Sequence, residues 1–327
     1  RSIHFKMKIF GTNEGVRVVG VEQCLICGAF GRVIYDGMRD RLFGASGVWS
    51  IFSCKNPECG FLWLNPQPIP EDTGSLYTGI YYTHSAPVLS RLRRLTRRLK
   101  QGYVGNLIWS SMYHQGTAPG RLLEVGCGNG LYLSEMRELG WEVVGVDFDE
   151  GAVRSAQENF KLNVLHGSLE SCSFEAETFD AITSNHVIEH IHDPQNLLRE
   201  CFRLLKQGGR LVITCPNSKS MVHRLFQDSC YHLDPPRHLF SFSRGTLGKL
   251  AARAGFSVLS VCSTVNAARH IYITSKKIRE TGKSPPDYFP TLLRRIEGVL
   301  FMLLEEAALA VDKDAGEDLV LVAKKGV

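Results

Sequence analysis

Residues 121–130, RLLEVGCGNG, decide the fold. Leu122, Leu123 and Val125 read as a short buried strand, Gly126, Gly128 and Gly130 follow at once, and Leu131, Leu133, Met136 and Leu139 begin a helical pattern. A strand, a glycine turn and a helix place a ligand at the carboxyl end of a parallel strand, where doubly wound sheets bind cofactors. Glycine is needed there because a Cβ would hold the backbone away from a bulky ligand and would disfavour positive φ. The spacing is G-x-G-x-G rather than the dinucleotide G-x-G-x-x-G, and Glu124 stands two residues ahead of the first glycine. Its carboxylate would repel a pyrophosphate and suits a cationic ligand.

Working outward, WEVVGVD (141–147) is a second strand that ends in an acid. Asp147 lies 17 residues past Gly130, about where doubly wound folds present a carboxylate to ribose hydroxyls. A carboxylate can accept from two vicinal hydroxyls at once. The alternative role for Asp147 is to cap the helix in GAVRSAQENF (151–160). LNVLHGSLES (162–171) supplies a third strand, and FDAITSNHVIEHIHDP (179–194) a fourth strand with its exit. Asp193 then caps a helix with Pro194 at its first position. Leu197, Leu198, Cys201, Leu204 and Leu205 form the buried stripe of that helix, with Gly208-Gly209 expected to end it. GRLVITCPN (209–217), SVLSVCST (257–264) and DLVLVAKK (318–325) read as the remaining strands, with a helix in SRGTLGKLAARAGF (243–256). The class is α/β, with a doubly wound sheet.

The chain of 327 residues is 44% hydrophobic and 22% charged, which argues for a folded protein of about two domains. A net charge of +5 does not by itself imply a nucleic-acid or membrane partner. No apolar run approaches the roughly 20 residues of a spanning helix. RSIHFKMKIF (1–10) lacks the apolar core and cleavage site of a secretion signal, so a cytoplasmic location is expected. Ten cysteines without such a signal point to a reducing compartment, where closely spaced thiols bind metal more often than they form disulfides. Cys24-Leu-Ile-Cys27 and Cys54-Lys-Asn-Pro-Glu-Cys59 are two such knuckles, with 26 residues between them. Four thiolates suit a closed, structural Zn²⁺ site with no open position for catalysis. Gly28 and Gly60 follow the knuckles, and the strands RVIYDG (32–37) and VWSIFSC (48–54) predict a ribbon hairpin. The alternative is four reduced core cysteines.

Beyond the ribbon, the prolines of GFLWLNPQPIP (60–70) mark an exit from regular structure, and Tyr77, Tyr81, Tyr82 and His84 follow. VLSRLRRLTRRLK (88–100) sets Leu92, Leu95 and Leu99 on one stripe among six basic residues. Such a helix suits docking on a core, an anionic membrane surface or nucleic acid. Near the end, residues 265–318 interrupt the last two strands with two helical stretches around KSPPDYFP (283–290). The second, about 292–312, has Leu292, Ile296, Val299, Leu303 and Ala307 on one face. A lid, a dimer contact and a membrane-facing flap are open roles, with dimerisation or packing the plain reading.

EVGCGNG (124–130) and VVGVDFDE (143–150) together resemble the first two motifs of the class I S-adenosylmethionine-dependent methyltransferases. Residues 179–217 resemble the segments that follow those motifs. The cysteine ribbon, the N-P-x-P exit and the Tyr-rich segment resemble a bacterial subgroup with an amino-terminal zinc-binding domain, whose members act on sugars or surface polysaccharides. The resemblance implies a seven-stranded Rossmann-like sheet closed by an antiparallel hairpin, with S-adenosylmethionine as methyl donor. It implies cofactor contacts from Glu124, Gly126, Cys127, Gly128, Gly130, Asp147, Phe148, Ser168, Leu169 and Asn185. Many relatives carry an Asp where this chain has Gly167-Ser168-Leu169, so backbone and Ser168 contacts replace it.

The expected domains are an extension (1–20), a zinc ribbon (21–66), a Tyr-rich linker with a basic helix (67–117) and a methyltransferase domain (118–327). Catalytic candidates are His186, Glu189, His190 and His238. H-x-x-E-H also fits a metalloprotease pattern, but the string follows a buried strand and stops at Asp193-Pro194. A similar E-x-x-E-H segment binds a divalent metal in ubiquinone-type O-methyltransferases and small-RNA 2′-O-methyltransferases. Here His186 replaces the first glutamate, which would shift such a site away from Mg²⁺. Otherwise His190 or His186 acts as a general base, or the histidines only hold the loop. Arg237, behind two prolines, is a candidate clamp for a substrate phosphate or carboxylate, and His232 a weaker neighbour. The expected acceptor is an O or C atom of a nucleotide- or lipid-linked sugar, with peripheral contact at the inner membrane surface. The rivals are an RNA methyltransferase and a non-catalytic cofactor-binding module.

Overall fold

The computed structural model describes residues 9–77, 111–112 and 114–326. Tyr81, Tyr82, His84 and the basic stretch 88–100 lie outside the described residues. The chain divides into two compact units, one comprising Arg1–Gly79, Pro216–Thr246 and Val265–Glu317, the other Ile80–Cys215, Leu247–Thr264 and Asp318–Val327. The segment inserted before the last strand therefore groups with the amino-terminal residues, not with the sheet it interrupts.

The first strands are β1 (Ile9–Asn13), β2 (Val16–Val19), β3 (Gly31–Met38), β4 (Trp49–Cys54), β5 (Leu62–Asn65) and β6 (Gln67–Pro68). Then come β7 (Arg121–Val125), helix α1 (Leu131–Glu138), β8 (Glu142–Asp147), α2 (Glu150–Phe160), β9 (Val164–His166), β10 (Phe179–Asn185), α3 (Pro194–Leu204) and β11 (Leu205–Pro216). The rest are α4 (Met221–Phe226), β12 (Phe240–Ser241), α5 (Arg244–Arg253), β13 (Phe256–Thr264), α6 (Ala268–Thr281), α7 (Leu292–Ala308) and β14 (Asp318–Lys325). Among the described residues, no helix is long and apolar enough to cross a membrane.

In the second unit seven strands form one sheet in the order β13-β14-β11-β10-β7-β8-β9. β11, β10, β7, β8 and β9 run parallel, and β13 and β14 pair antiparallel. This is the expected doubly wound, seven-stranded Rossmann-like sheet. Helices on both faces explain why its strands read as nearly unbroken apolar runs rather than alternating ones. Leu122, Leu123, Ala181, Ile182, Leu211, Val212 and Leu321 are all fully buried. Burial of each such leucine contributes about 1.5–3 kcal/mol. From β7 the chain steps outward to β8 and β9 and then returns to β10 on the other side of β7, so a crevice opens at the carboxyl ends of β7 and β10.

Helix α3 starts as expected, with an Asp193 Oδ1 that accepts from the Asn196 N–H at 2.9 Å and Pro194 at the first position. It ends earlier than expected, at Leu204. The glycine pair instead lies inside β11, where the register with β10 slips between Phe179↔Leu205 and Ala181↔Arg210, and Gly208 takes φ 73°. A glycine at a bulge gives the same sequence signal as a helix stop.

The first unit holds a three-stranded sheet β1-β2-β6 and a four-stranded sheet β12-β5-β4-β3. Residues 9–19, within the expected N-terminal extension, form a β hairpin. The N-P-Q-P stretch is not an exit either: Leu62–Asn65 pairs with β4, and Gln67 and Pro68 pair with Val19 and Val18. Proline is tolerated there because β6 is an edge strand. The predicted ribbon hairpin is β3–β4, antiparallel. Phe61 packs between Trp63, Phe240 and Phe242 at ring separations of 5.5–6.1 Å and forms an aromatic core.

Candidate active site

The sheet register lines up the carboxyl ends of the central strands. Ser184 pairs with Val125 and Val125 with Val146, while Asp147 pairs with His166 and Asn185 with Thr214. After β7 the chain passes through Gly126, Gly128 and Gly130 at φ 73°, 52° and 77°, a left-handed region that side chains with a Cβ avoid. A Cβ on Gly126 would also sit 2.2 Å from Val187 Cγ2, and one on Gly130 2.6 Å from Leu162 Cδ1. At those two positions the close neighbour is the protein itself, where the sequence reading expected a ligand.

Asp147 closes β8. Its Oδ2 accepts from the Gly128 N–H at 2.8 Å and its Oδ1 from the Asp149 N–H at 2.9 Å. The carboxylate is thereby turned toward the glycine turn. The cap of α2 is Asp149, whose Oδ1 accepts from the Ala152 N–H at 2.9 Å, so Asp147 is not used as a helix cap. Phe148 presents an exposed ring beside it. The Gly167 N–H donates to the Asp147 carbonyl at 2.9 Å, which brings the turn with exposed Ser168 and buried Leu169 next to β8. Glu124 is buried, and its Oε2 has no hydrogen-bond partner among the described residues. Burial first, then the charges of Asp147 and Glu135, push its carboxyl well above the usual range. Cys127, on the same turn, is buried, and its thiol is pushed up by burial first and then by the charges of Glu124 and Asp147.

Across the crevice, β10 ends at Asn185, whose Oδ1 accepts from the Thr214 hydroxyl. His186 follows at φ 52°, and Ile188–His190 make one turn of 3-10 helix. His186 Nδ1 lies 3.3 Å from Glu189 Oε1, and its Nε2 lies 3.6 Å from Asp318 Oδ2. Burial alone would lower the imidazole pKa. The charge and hydrogen bond of Asp318, then those of Glu189, outweigh that and hold it well above its ordinary value. Two carboxylates beside the ring favour its protonated form, which has no lone pair to serve as a base. His190 is half-buried, and its N–H donates to the Val187 carbonyl at 2.9 Å.

Asp318 was not flagged from the sequence. It is 132 positions from His186, and only the placement of β14 beside β11 brings it to this edge. The pairing has a pH signature. A raised histidine contributes stability that is full below its unfolded value of about 6.5 and is lost as pH rises through the folded value. We expect NMR of the ring nitrogens to find His186 doubly protonated at neutral pH, and Asp318→Asn to bring its titration down. Titration near the ordinary value in the unaltered chain would refute the pairing.

In the amino-terminal unit, the sulfurs of Cys24, Cys27, Cys54 and Cys59 all lie within 4.8 Å of one another. Cys24 Sγ is 3.6 Å from Cys59 Sγ, Cys27 Sγ is 3.4 Å from Cys54 Sγ, and the Ile26 N–H points at Cys24 Sγ from 3.3 Å. Gly28 and Gly60 take φ 74° and 63° after each knuckle.

Arg237 is not placed as a substrate clamp. It is fully buried and directs all five N–H groups at the protein: two at Asp40 (2.7 and 2.8 Å), two at Asp234 (2.5 and 3.0 Å) and one at the Leu76 carbonyl (3.2 Å). Its guanidinium also stacks 4.6 Å over the Phe43 ring. The sequence reading saw a rigid arginine but could not see the two acids that occupy it. His238 beside it is half-buried, with Nδ1 2.7 Å from the His232 carbonyl. A carbonyl only accepts, so Nδ1 carries a proton. His232 is buried.

Comparison with known proteins follows this geometry. Residues 93–261, just over half of the chain, match the family described as a methyltransferase domain. The chain is 33% identical over 132 residues to the mitochondrial ubiquinone biosynthesis O-methyltransferase of Bos taurus, covering 37% of this chain and 36% of that protein. It is 36% identical over 102 residues to the ubiquinone biosynthesis O-methyltransferase of Ruegeria pomeroyi, covering 30% and 41%. The chain spans about a third to a half of the length of the curated relatives it matches. A solved SAM-dependent methyltransferase from Archaeoglobus fulgidus is 21% identical with a TM-score of 0.44, covering 71% of this chain and 91% of that one. The chain belongs to the methyltransferase-domain family.

Proposed function

We propose that the protein transfers a methyl group from S-adenosylmethionine to an oxygen of a small acceptor molecule. The observation that carries this reading is the buried, unpartnered Glu124 Oε2 beside a left-handed glycine turn onto which the Asp147 carboxylate is fixed. A buried acid with an unpartnered oxygen is an expensive arrangement unless a cation visits it. When bound, S-adenosylmethionine supplies a methyl group on a positively charged sulfur. Glu124 and the main chain of Gly126, Cys127, Gly128 and Gly130 would hold its cationic amino-acid end. Asp147 would accept from its ribose hydroxyls, Phe148 would cover the adenine ring, and Ser168 and Leu169 would meet the adenine edge. Asn185 completes the set at the end of β10.

Removing a proton from an acceptor hydroxyl requires an imidazole that is neutral near pH 7. We assign that task to His190. His186 and Glu189 then act as a fixed ion pair that shapes the turn carrying His190. The named relatives support oxygen as the atom methylated. A nucleotide- or lipid-linked sugar is the narrower acceptor class that the amino-terminal resemblance implies. We further assign one structural Zn²⁺ to Cys24, Cys27, Cys54 and Cys59, whose four-sulfur cluster matches tetrahedral zinc chemistry.

Asp147→Ala is expected to weaken S-adenosylmethionine binding by about 1–3 kcal/mol, the loss of a charge-assisted hydrogen-bonding partner. Unchanged affinity in that variant would remove the assignment. Release of S-adenosylhomocysteine upon addition of a small-molecule cell extract separates an enzyme from a cofactor-binding module.

A further inference from the structure

The four sulfurs of the amino-terminal cluster are not equally covered. Cys24, Cys54 and Cys59 are 0%, 4% and 7% exposed, whereas Cys27 opens to solvent. The knuckle turn sets this difference. The Cys24 N–H donates to the Ala29 carbonyl, and the Gly28 N–H to the Cys24 carbonyl, both at 2.8 Å. A turn closed so tightly sends Cys24 and Ile26 inward and leaves Cys27 at its outer rim. In the second knuckle both thiols stay inside. There the Cys54 N–H donates to the Phe61 carbonyl at 2.9 Å and the Cys59 N–H to the Asn56 carbonyl at 3.0 Å.

Cys27 also has a second thiol within reach. Its Sγ lies 3.4 Å from Cys54 Sγ, while Cys24 and Cys59 are the other close pair at 3.6 Å. Each pair therefore takes one sulfur from each knuckle. Main-chain bonds hold the knuckles in that relation. The Lys55 N–H donates to the Phe30 carbonyl at 3.0 Å, and Gly31 faces Cys54 in the β3–β4 register. The hairpin, and not a metal alone, keeps Cys27 beside Cys54.

An oxidant arriving from solvent meets Cys27 and is kept from the other three thiols. Cysteines that respond to oxidants combine an accessible thiolate with a neighbouring thiol that resolves the first product. Coordination supplies the thiolate, because a metal-bound thiol is deprotonated. We propose that Cys27 is a site of oxidation by hydroperoxides, with Cys54 as its resolving thiol, and that their disulfide releases the zinc. The structural Zn²⁺ assigned above is its premise. With hydrogen peroxide, the Cys27 sulfur attacks one oxygen, forming an S–O bond as the O–O bond breaks and hydroxide leaves. The Cys54 thiolate then attacks that sulfur, forming the S–S bond as the S–O bond breaks and a second hydroxide leaves. The two sulfurs lose two electrons and the peroxide gains them. Cys24 and Cys59 remain as two ligands, half of what a closed tetrahedral site needs.

Hydrogen peroxide added to the zinc-loaded full chain tests it, with released metal followed by a chromogenic chelator and disulfides mapped by peptide mass spectrometry. Zinc is expected to leave in step with a Cys27–Cys54 disulfide, while Cys24 and Cys59 still alkylate after denaturation. Dithiothreitol and added zinc should return the metal. In Cys27→His the imidazole keeps four ligands on the metal, and peroxide-driven release is expected to be lost. Cys172→Ser should release zinc as the unaltered chain does. Zinc retained by the unaltered chain under excess peroxide would overturn the proposal, and so would release at the unaltered rate from Cys27→His. A disulfide confined to one knuckle, Cys24 to Cys27 or Cys54 to Cys59, would overturn the role of Cys54. That mapping uses the unaltered chain and decides the matter even where Cys27→His fails to load. Absence of zinc before any peroxide is added would remove the metal assignment itself, and the proposal with it.

Discussion

The unaltered protein is expected to carry roughly one zinc per chain, and Cys24→Ser is expected to lose it. The effect should be large, because apparent zinc-binding energies of about 10–16 kcal/mol act directly as folding energy in small thiolate sites. Four sulfurs gathered within 4.8 Å explain why. As thiolates they repel one another, and as thiols they are three buried groups and one exposed group without strong partners. The knuckle turns and the ends of β3 and β4 meet at that cluster, so its loss should raise amide exchange in β3 and β4 before it affects the seven-stranded sheet. Cys172→Ser, on a thiol outside the cluster, should keep the metal. Metal analysis that finds no zinc in the unaltered chain would contradict the assignment, as would full zinc content in Cys24→Ser.

Arg237→Met should lower the stability of the amino-terminal unit by about 3–5 kcal/mol, the cost of removing one partner from a buried ion pair. The side chain that replaces it can fill the volume and cover Phe43. It cannot supply five N–H donors, and Asp40 and Asp234 would then face each other in a closed interior. In the intact protein, burial works against the Asp40 carboxylate, but the Arg237 hydrogen bonds and charge outweigh it and hold the pKa below its usual value. That contribution is present above the unfolded carboxylate value of about 3.9 and is lost as pH falls through the lower folded value. Arg237→Met should therefore narrow the difference from the unaltered protein under strongly acidic conditions. Adding Asp40→Asn to Arg237→Met should recover part of the loss, because an amide tolerates burial better than an unpaired charge. Denaturant unfolding of the three proteins checks this, and equal midpoints would show that Arg237 does not organise the unit.

Much of the seven-stranded sheet was legible because its signals are local. The run LLEV followed by three glycines, the acid closing VVGVD, and Asp193-Pro194 each depend on a few adjacent residues. The strand boundaries of DLVLVAKK match the sequence reading residue for residue. What stayed hidden depends on partners distant in sequence. Arg237 read as a ligand clamp because Asp40, 197 positions away, could not be seen to occupy it. His186 read as a base because Asp318 joins it only after β14 is laid beside β11. Gly208-Gly209 was ambiguous for a different reason, since a bulge and a helix stop require the same backbone freedom. The α7 stripe of Leu292, Ile296, Val299 and Leu303 was found by its period, but those residues are exposed, and period alone does not say which side of a helix meets the core.

Isothermal titration calorimetry of S-adenosylhomocysteine into the folded, zinc-loaded chain tests the central claim most directly. Saturable binding of one molecule per chain, weakened by Asp147→Ala and by Glu124→Gln, is the predicted result. No heat at two temperatures with either S-adenosylhomocysteine or S-adenosylmethionine would contradict it.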